Sequence, residues 1–159
     1  MINLDKILVA FDLSEYSVQA FKYGCDMAEE VRADLIIANV INQRDVKAVE
    51  WTTQVSERIS VEKFVEEQIK YRSIEIEEMM EAKYCNIQSV SKIFKVGVPF
   101  QELLKIIQQE QPALVVMGTK GRSNIAGVIF GSTAEKMFRR CPVPLLSVRE
   151  KNNGGNLAR

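Results

Sequence analysis

Along the chain, apolar residues gather into short blocks separated by amphipathic stretches. Lys6 to Phe11 (KILVAF) is a continuous apolar run rich in strand formers, the pattern of a strand covered on both faces. Asp12-Leu-Ser-Glu15 carries helix-start chemistry, and from Val18 onward Phe21, Cys25 and Ala28 recur at helical spacing. Leu35 to Ile41 (LIIANVI) is a second buried-strand run, so the first part of the chain reads as a βαβ unit. Asn42 to Thr53 is polar and weakly patterned and reads as a connection that can open a helix. From about Val55 to Tyr84 no glycine or proline interrupts a helical stretch whose apolar positions (Ile59, Phe64, Ile69, Ile76, Met79 and Met80 among them) spread wider than one stripe. Two readings fit: one helix with a core face and a partner-facing face, or two helices meeting around Tyr71-Arg72-Ser73.

Ser89 to Val96 alternates polar and apolar residues, as a strand near a sheet edge does. Pro99 suits the first turn of the next helix, whose face is Phe100, Leu103, Leu104 and Ile107, and Gln111-Pro112 ends it. Ala113 to Met117 is again a buried strand. Gly118 to Gly131 then holds half of the chain's eight glycines. Ser132 to Arg140 is helical, Pro142 and Pro144 end it, and Val143 to Val148 makes the last strand. Strands alternating with helices predict an α/β fold: an open, mostly parallel sheet with helices on both faces. No repeat or linker divides the chain, so a single domain over 1–150 is expected, followed by a mobile polar tail over 151–159.

Composition narrows the chemistry. The chain has 159 residues, 21 basic against 21 acidic side chains, and no histidine. Zero net charge argues against a general nucleic-acid binder, which carries a basic excess. Without histidine the commonest general base, the Ser–His and Cys–His nucleophile pairs and His-ligated metal sites are all absent. Cys25, Cys85 and Cys141 lie far apart with no C-x-x-C pair and read as reduced thiols. No secretion signal or membrane-length apolar run is seen, so a cytoplasmic protein is expected.

Two features fall at strand ends, where open α/β sheets bind ligands: Asp12, and the stretch beginning Gly118-Thr-Lys-Gly121-Arg122 and ending Gly131-Ser132-Thr133. Gly118 and Gly121 are expected to turn the backbone with positive φ and to let it approach a ligand. Gly131-Ser132-Thr133 opens a helix, whose free N–H groups and positive dipole end make an anion site suited to phosphate. The Ser132 and Thr133 hydroxyls add donors, and one of them can face Mg²⁺, while Lys120 and Arg122 bring positive charge. The same residues would also serve a loop without ligand, with Ser132 as an ordinary N-cap and Asp12 with Glu15 as a capping pair.

The spacing is neither a Walker A loop nor a dinucleotide fingerprint. It resembles the ATP-binding pattern of the universal stress protein family: glycine, two residues, glycine, nine residues, glycine, then Ser or Thr. Gly118, Gly121, Gly131 and Ser132 fill every fixed position. The likeness runs over roughly residues 4 to 149 and includes Asp-Leu-Ser-Glu after the first strand, Val-Gly-Val-Pro before the third helix and Cys-Pro-Val-Pro before the last strand. It implies a Rossmann-like, five-stranded sheet of order 3-2-1-4-5 and a stress-response protein that binds ATP (or ADP or AMP), with Mg²⁺. By the same resemblance Ala10 and Asp12 fall on the nucleoside side and Val40 presents its backbone to the adenine edge. Met117 and Gly118 pass the ribose, and Gly121, Arg122, Gly131, Ser132 and Thr133 surround the phosphates. Ala10 stands where members often have proline, and Leu13 where many have glycine; both are expected to adjust the wall. A homodimer through the last strand (143–149) is also implied, and the exposed edge of that strand argues the same way.

With no histidine, a nucleotide-dependent switch or sensor with at most slow hydrolysis is the favoured function. A weak Mg-dependent ATPase or self-phosphorylating protein is the enzyme alternative, and a nucleotide-free homodimeric interaction protein is the third. Cys141 is expected to be a small buried residue at a helix end rather than a redox thiol. The Met79–Met80 pair suits core or partner contact, and Trp51 suits a lid or dimer contact.

Overall fold

A computed structural model of the chain describes residues 3–53, 60–83, 87, 89–122, 126–127 and 129–149. Among these the elements run β1 (Lys6–Ala10), α1 (Glu15–Val31), β2 (Asp34–Asn42), α2 (Gln43–Thr53) and α3 (Val61–Lys83), then β3 (Val90–Gly97), α4 (Pro99–Glu110), β4 (Leu114–Gly118), α5 (Ser132–Arg140) and β5 (Leu145–Val148). All strand pairs are parallel, and the order across the sheet is β3-β2-β1-β4-β5. This is the layout expected from the sequence.

The pleat explains why β1 reads as unbroken apolar sequence. Ile7, Val9 and Phe11 point into a core built with α1 and with Ile76 of α3, while Leu8 and Ala10 point into a second core under α4 and α5. Ile7, Leu8 and Val9 are all 0% exposed, each worth roughly 1.5–3 kcal/mol of burial. Helices α1 and α3 therefore cover one face and α4 and α5 the other. The chain winds from β1 outward to β3, then crosses back to β4 and out to β5. Between β1 and β4 the connections leave in opposite directions, and a crevice opens there at the strands' carboxyl ends.

Three local expectations are sharpened. The helix start allowed within Asn42 to Thr53 is a full helix over Gln43–Thr53; none of residues 43–52 is buried, so it has no core stripe for periodicity to reveal. Its start is marked by Asn42, whose Oδ1 accepts from the Arg44 N–H at 3.0 Å. Helix α3 passes unbroken through Tyr71-Arg72-Ser73, so the single-helix reading holds over Val61–Lys83. It buries Arg72 and Ile76 while leaving Tyr71 and Ile74 exposed. Strand β3 is an edge strand, but Ile93 and Phe94 pack against opposite cores, so it is partly covered on both sides rather than cleanly alternating. Residues 54–59 and 84–86, Cys85 with them, and the tail 151–159 lie outside the described residues.

Candidate functional site

The crevice is a cavity of about 470 Å³, within the range of small-molecule sites. All ten sequence-predicted site residues line it. Ala10, Val40 and Met117 form its strand-end floor, Asp12 stands at its rim, and Gly118, Gly121 and Arg122 enclose it from the loop after β4. Gly131, Ser132 and Thr133 line it at the start of α5, where Gly131 packs beside the Lys120–Gly121 backbone. Leu13 does not line it among the described residues: it packs against the α1-side core instead. Its backbone explains the family's glycine, for φ is +69° there, a left-handed conformation that costs a leucine about 1–3 kcal/mol.

Asp12 is held by backbone rather than by side-chain cations. Its Oδ1 accepts from the Ser14 N–H at 3.0 Å and its Oδ2 from the Arg122 N–H at 3.2 Å. It is not the cap of α1: Ser14 is, its side chain accepting from the Ser17 N–H at 3.2 Å. The capping-pair reading of Asp12 with Glu15 is therefore replaced, and the carboxylate is left facing the crevice.

The glycines act by close approach, not by unusual dihedrals. Neither Gly118 nor Gly121 has a positive φ; among the described glycines only Gly127 does. A Cβ on Gly118 would sit 2.8 Å from the Tyr16 backbone carbon, and one on Gly121 would sit 2.5 Å from Asp12 Oδ2. The loop thus presses against the first turn of α1 and against the carboxylate, and any side chain would push it away.

The N-cap of α5 is Gly131, not Ser132 as the capping alternative held, and it offers no capping side chain. The Gly131 N–H is used by the Thr119 carbonyl at 2.8 Å, and the first helical bond runs from the Glu135 N–H to the Gly131 carbonyl. The N–H groups of Ser132, Thr133 and Ala134 therefore begin the helix without a side-chain acceptor from the cap, against the cavity wall. A helix start of this kind favours an anion. Lys120 lines the cavity with its ammonium over the Tyr16 ring, 5.7 Å from the centroid.

Sequence reasoning missed the contribution of α2. Arg44 and Asp45 line the cavity beside Asn42 at the end of β2, and Asp45 Oδ2 pairs with Arg122 Nη1 at 3.0 Å, joining α2 to the glycine loop across the mouth. Both partners are substantially exposed, so the pair sets geometry more than stability. The only signal was the Asn-Gln-Arg-Asp run itself. Among the described residues no three His, Cys, Asp or Glu side chains cluster to hold a metal. Cys141 is half-buried at the end of α5, and burial pushes its thiol pKa up, which makes it a weak nucleophile. Met79 and Met80 are partly buried against the α1-side core, and Trp51 is 75% exposed on α2.

Comparison with known proteins decides the family. The model of the universal stress protein family matches residues 3–149. The chain belongs to that family. It is 27% identical over 156 residues to universal stress protein MJ0577 of Methanocaldococcus jannaschii, covering 93% of this chain and 96% of that one. Universal stress protein YxiE of Bacillus subtilis is 28% identical over 151 residues, covering 91% and 99%. In fold, this universal stress protein superposes on the solved structure of MJ0577 with a TM-score of 0.78 at 24% identity, over 94% and 99% of the two chains. A universal stress protein solved in complex with cAMP superposes with a TM-score of 0.66 at 22% identity, over 92% and 97%. Among the described residues no helix is long and apolar enough to cross a membrane.

The two glycines make a direct prediction. Gly118→Ala must displace backbone of α1 and is expected to cost about 1–3 kcal/mol in urea unfolding. Gly121→Ala meets only a carboxylate oxygen and is expected to cost less than Gly118→Ala, because Asp12 can rotate away.

Proposed function

We propose that this universal stress protein binds an adenine nucleotide, ATP, in the crevice and acts as a nucleotide-dependent switch in the cytoplasm, with at most slow hydrolysis. The observation that carries the reading is the pairing of unlike ends in one cavity. The α5 start, uncapped by any side chain and backed by Ser132 and Thr133, suits phosphates, and the Asp12 carboxylate suits hydroxyl donors of a ribose. Ala10, Val40 and Met117 between them offer an apolar bed for a base, with Val40 presenting strand-end backbone. The cAMP carried by a relative of the same fold supports the nucleotide class.

The residues present fit ATP better than they fit its breakdown. Bound ATP brings oxygens that can hold Mg²⁺ together with the Ser132 or Thr133 hydroxyl. In-line hydrolysis needs a group that positions water at the terminal phosphate. The carboxylates that line the cavity are Asp12 and Asp45, and both already have partners: two backbone N–H groups and Arg122 respectively. With no histidine in the chain, no other base of the usual kind stands near.

A switch follows from the partners of Asp12. Its Oδ2 accepts the Arg122 N–H, so a hydroxyl arriving at that carboxylate acts on the glycine loop, and through the Arg122–Asp45 pair on α2. Occupancy would thereby bias the surface presented beside the mouth. Self-association is part of the proposal. Strand β5 is a sheet edge, and beside it Phe138 is 70% exposed and Ile129 65% exposed, with Phe130 and Phe138 in ring contact. A homodimer through 143–149 would pair that edge and cover apolar surface.

Equilibrium titration with Mg-ATP should show saturable binding, with Asp12→Asn and Ser132→Ala each weakening it about tenfold. Phosphate release should not exceed that of Gly131→Val; Mg-dependent release well above that background would favour the ATPase alternative, and no binding at all the nucleotide-free one. Sedimentation is expected to give a dimer at micromolar concentration, and a monomer there would contradict the β5 interface.

A further inference from the structure

Among the described residues four polar side chains are buried: Ser17, Asn39, Arg72 and Thr119. They gather at or just behind the strand ends that form the crevice. Three of them converge on one peptide bond, that between Phe11 and Asp12. Its carbonyl accepts from Asn39 Nδ2 at 2.7 Å, and its N–H donates to Ser17 Oγ at 3.3 Å. Asn39 Oδ1 in turn accepts from Arg72 Nη1 at 2.7 Å, reaching from α3.

Arg72 is costly where it stands. It is 4% exposed, and among the described residues no carboxylate lies at hydrogen-bond distance from it. Its Nε has no hydrogen-bond partner among the described residues, and Gln68 Oε1 is a weak one for Nη2 at 3.5 Å. Burial and the Arg122 charge hold the guanidinium below the ordinary arginine value, against the pull of Asp45 and Asp12. An apolar side chain of similar size would pack against the core at less desolvation cost, so packing of α3 does not account for an arginine.

Hydrogen-bond chemistry does account for it. A guanidinium has donors only, so the oxygen of the Asn39 amide must face Arg72 and the NH₂ must face the Phe11 carbonyl. Remove the arginine and the buried amide oxygen loses its donor, leaving the Phe11 carbonyl alone to hold the Asn39 side chain in place. We propose that Arg72 is a positioning residue for Asp12: by orienting Asn39 it clamps the Phe11–Asp12 peptide and so aims the carboxylate into the crevice. The proposal rests on the reading of Asp12 as a ligand contact.

The test is a pair of double-mutant cycles on Mg-ATP affinity, using the full chain. Arg72→Met should weaken binding about tenfold, and Asp12→Asn should add less than about twofold in that background, because its contact is already lost. Ser132→Ala, at the phosphate end, should keep its full cost there, which a general loss of structure would not allow. Arg72→Lys, which keeps a donor and a charge, should recover most of the loss. Should Arg72→Met fail to fold, Asn39→Asp keeps the arginine paired and removes only the donor to Phe11; the same loss is expected. Affinity within about twofold of the unaltered protein in Arg72→Met or in Asn39→Asp overturns the proposal, as does full additivity with Asp12→Asn. Absence of ATP binding by the unaltered protein removes the nucleotide reading and this assignment with it. Normal binding that is indifferent to Arg72 removes this assignment alone.

Discussion

The Asp12 carboxylate lies so close beneath the backbone of residue 121 that no Cβ fits between them, and one of its oxygens takes the next N–H of that loop. Much of the site follows from this contact. It brings the end of β1 and the loop after β4 together over the switch point of the sheet, where the helices diverge to opposite faces. Glycine at 118 lets the same loop start flush against α1, and the Gly131 N–H bonds back to the Thr119 carbonyl, so the start of α5 is held beside that loop. The cavity is bounded by that loop and the adjoining start of α5 on one hand and by the strand ends of β1 and β2 on the other.

Its electrostatics come from local groups rather than a global field. The chain carries 21 charges of each sign, and the cavity's formal charges are nearly balanced as well: Asp12 and Asp45 against Arg44, Lys120 and Arg122. An anion's attraction to this site therefore depends on the oriented N–H groups of α5 more than on net charge. Such groups cost no reorganisation when a phosphate arrives, but they supply no base. The absence of histidine and the prior engagement of both lining carboxylates are what support the proposal that a nucleotide is held rather than consumed.

The fold was legible because burial on both faces of a parallel sheet writes unbroken apolar runs, as in KILVAF and LIIANVI, and because α1 and α4 carry clear helical stripes. The strand order and the motif glycines were legible through the family pattern. What was hidden was tertiary. No residue of α2 over 43–52 is buried, so Arg44 and Asp45 left no periodic trace at the site. Gly118 and Gly121 were assigned the wrong reason, because a close approach to Tyr16 and Asp12 depends on partners distant in sequence, whereas dihedral freedom is a local guess. Asn39 passed as part of the LIIANVI run and Arg72 only as part of a possible break in α3, because their pairing spans 33 positions. The leucine in place of the family's glycine at 13 became intelligible only with its φ of +69°.

The central claim is that this chain keeps an intact nucleotide. Freshly purified protein, incubated with ATP and Mg²⁺ and stripped of free ligand, can be denatured and the released small molecules identified by mass. The account predicts stoichiometric adenine nucleotide, predominantly ATP. Release of none would contradict it.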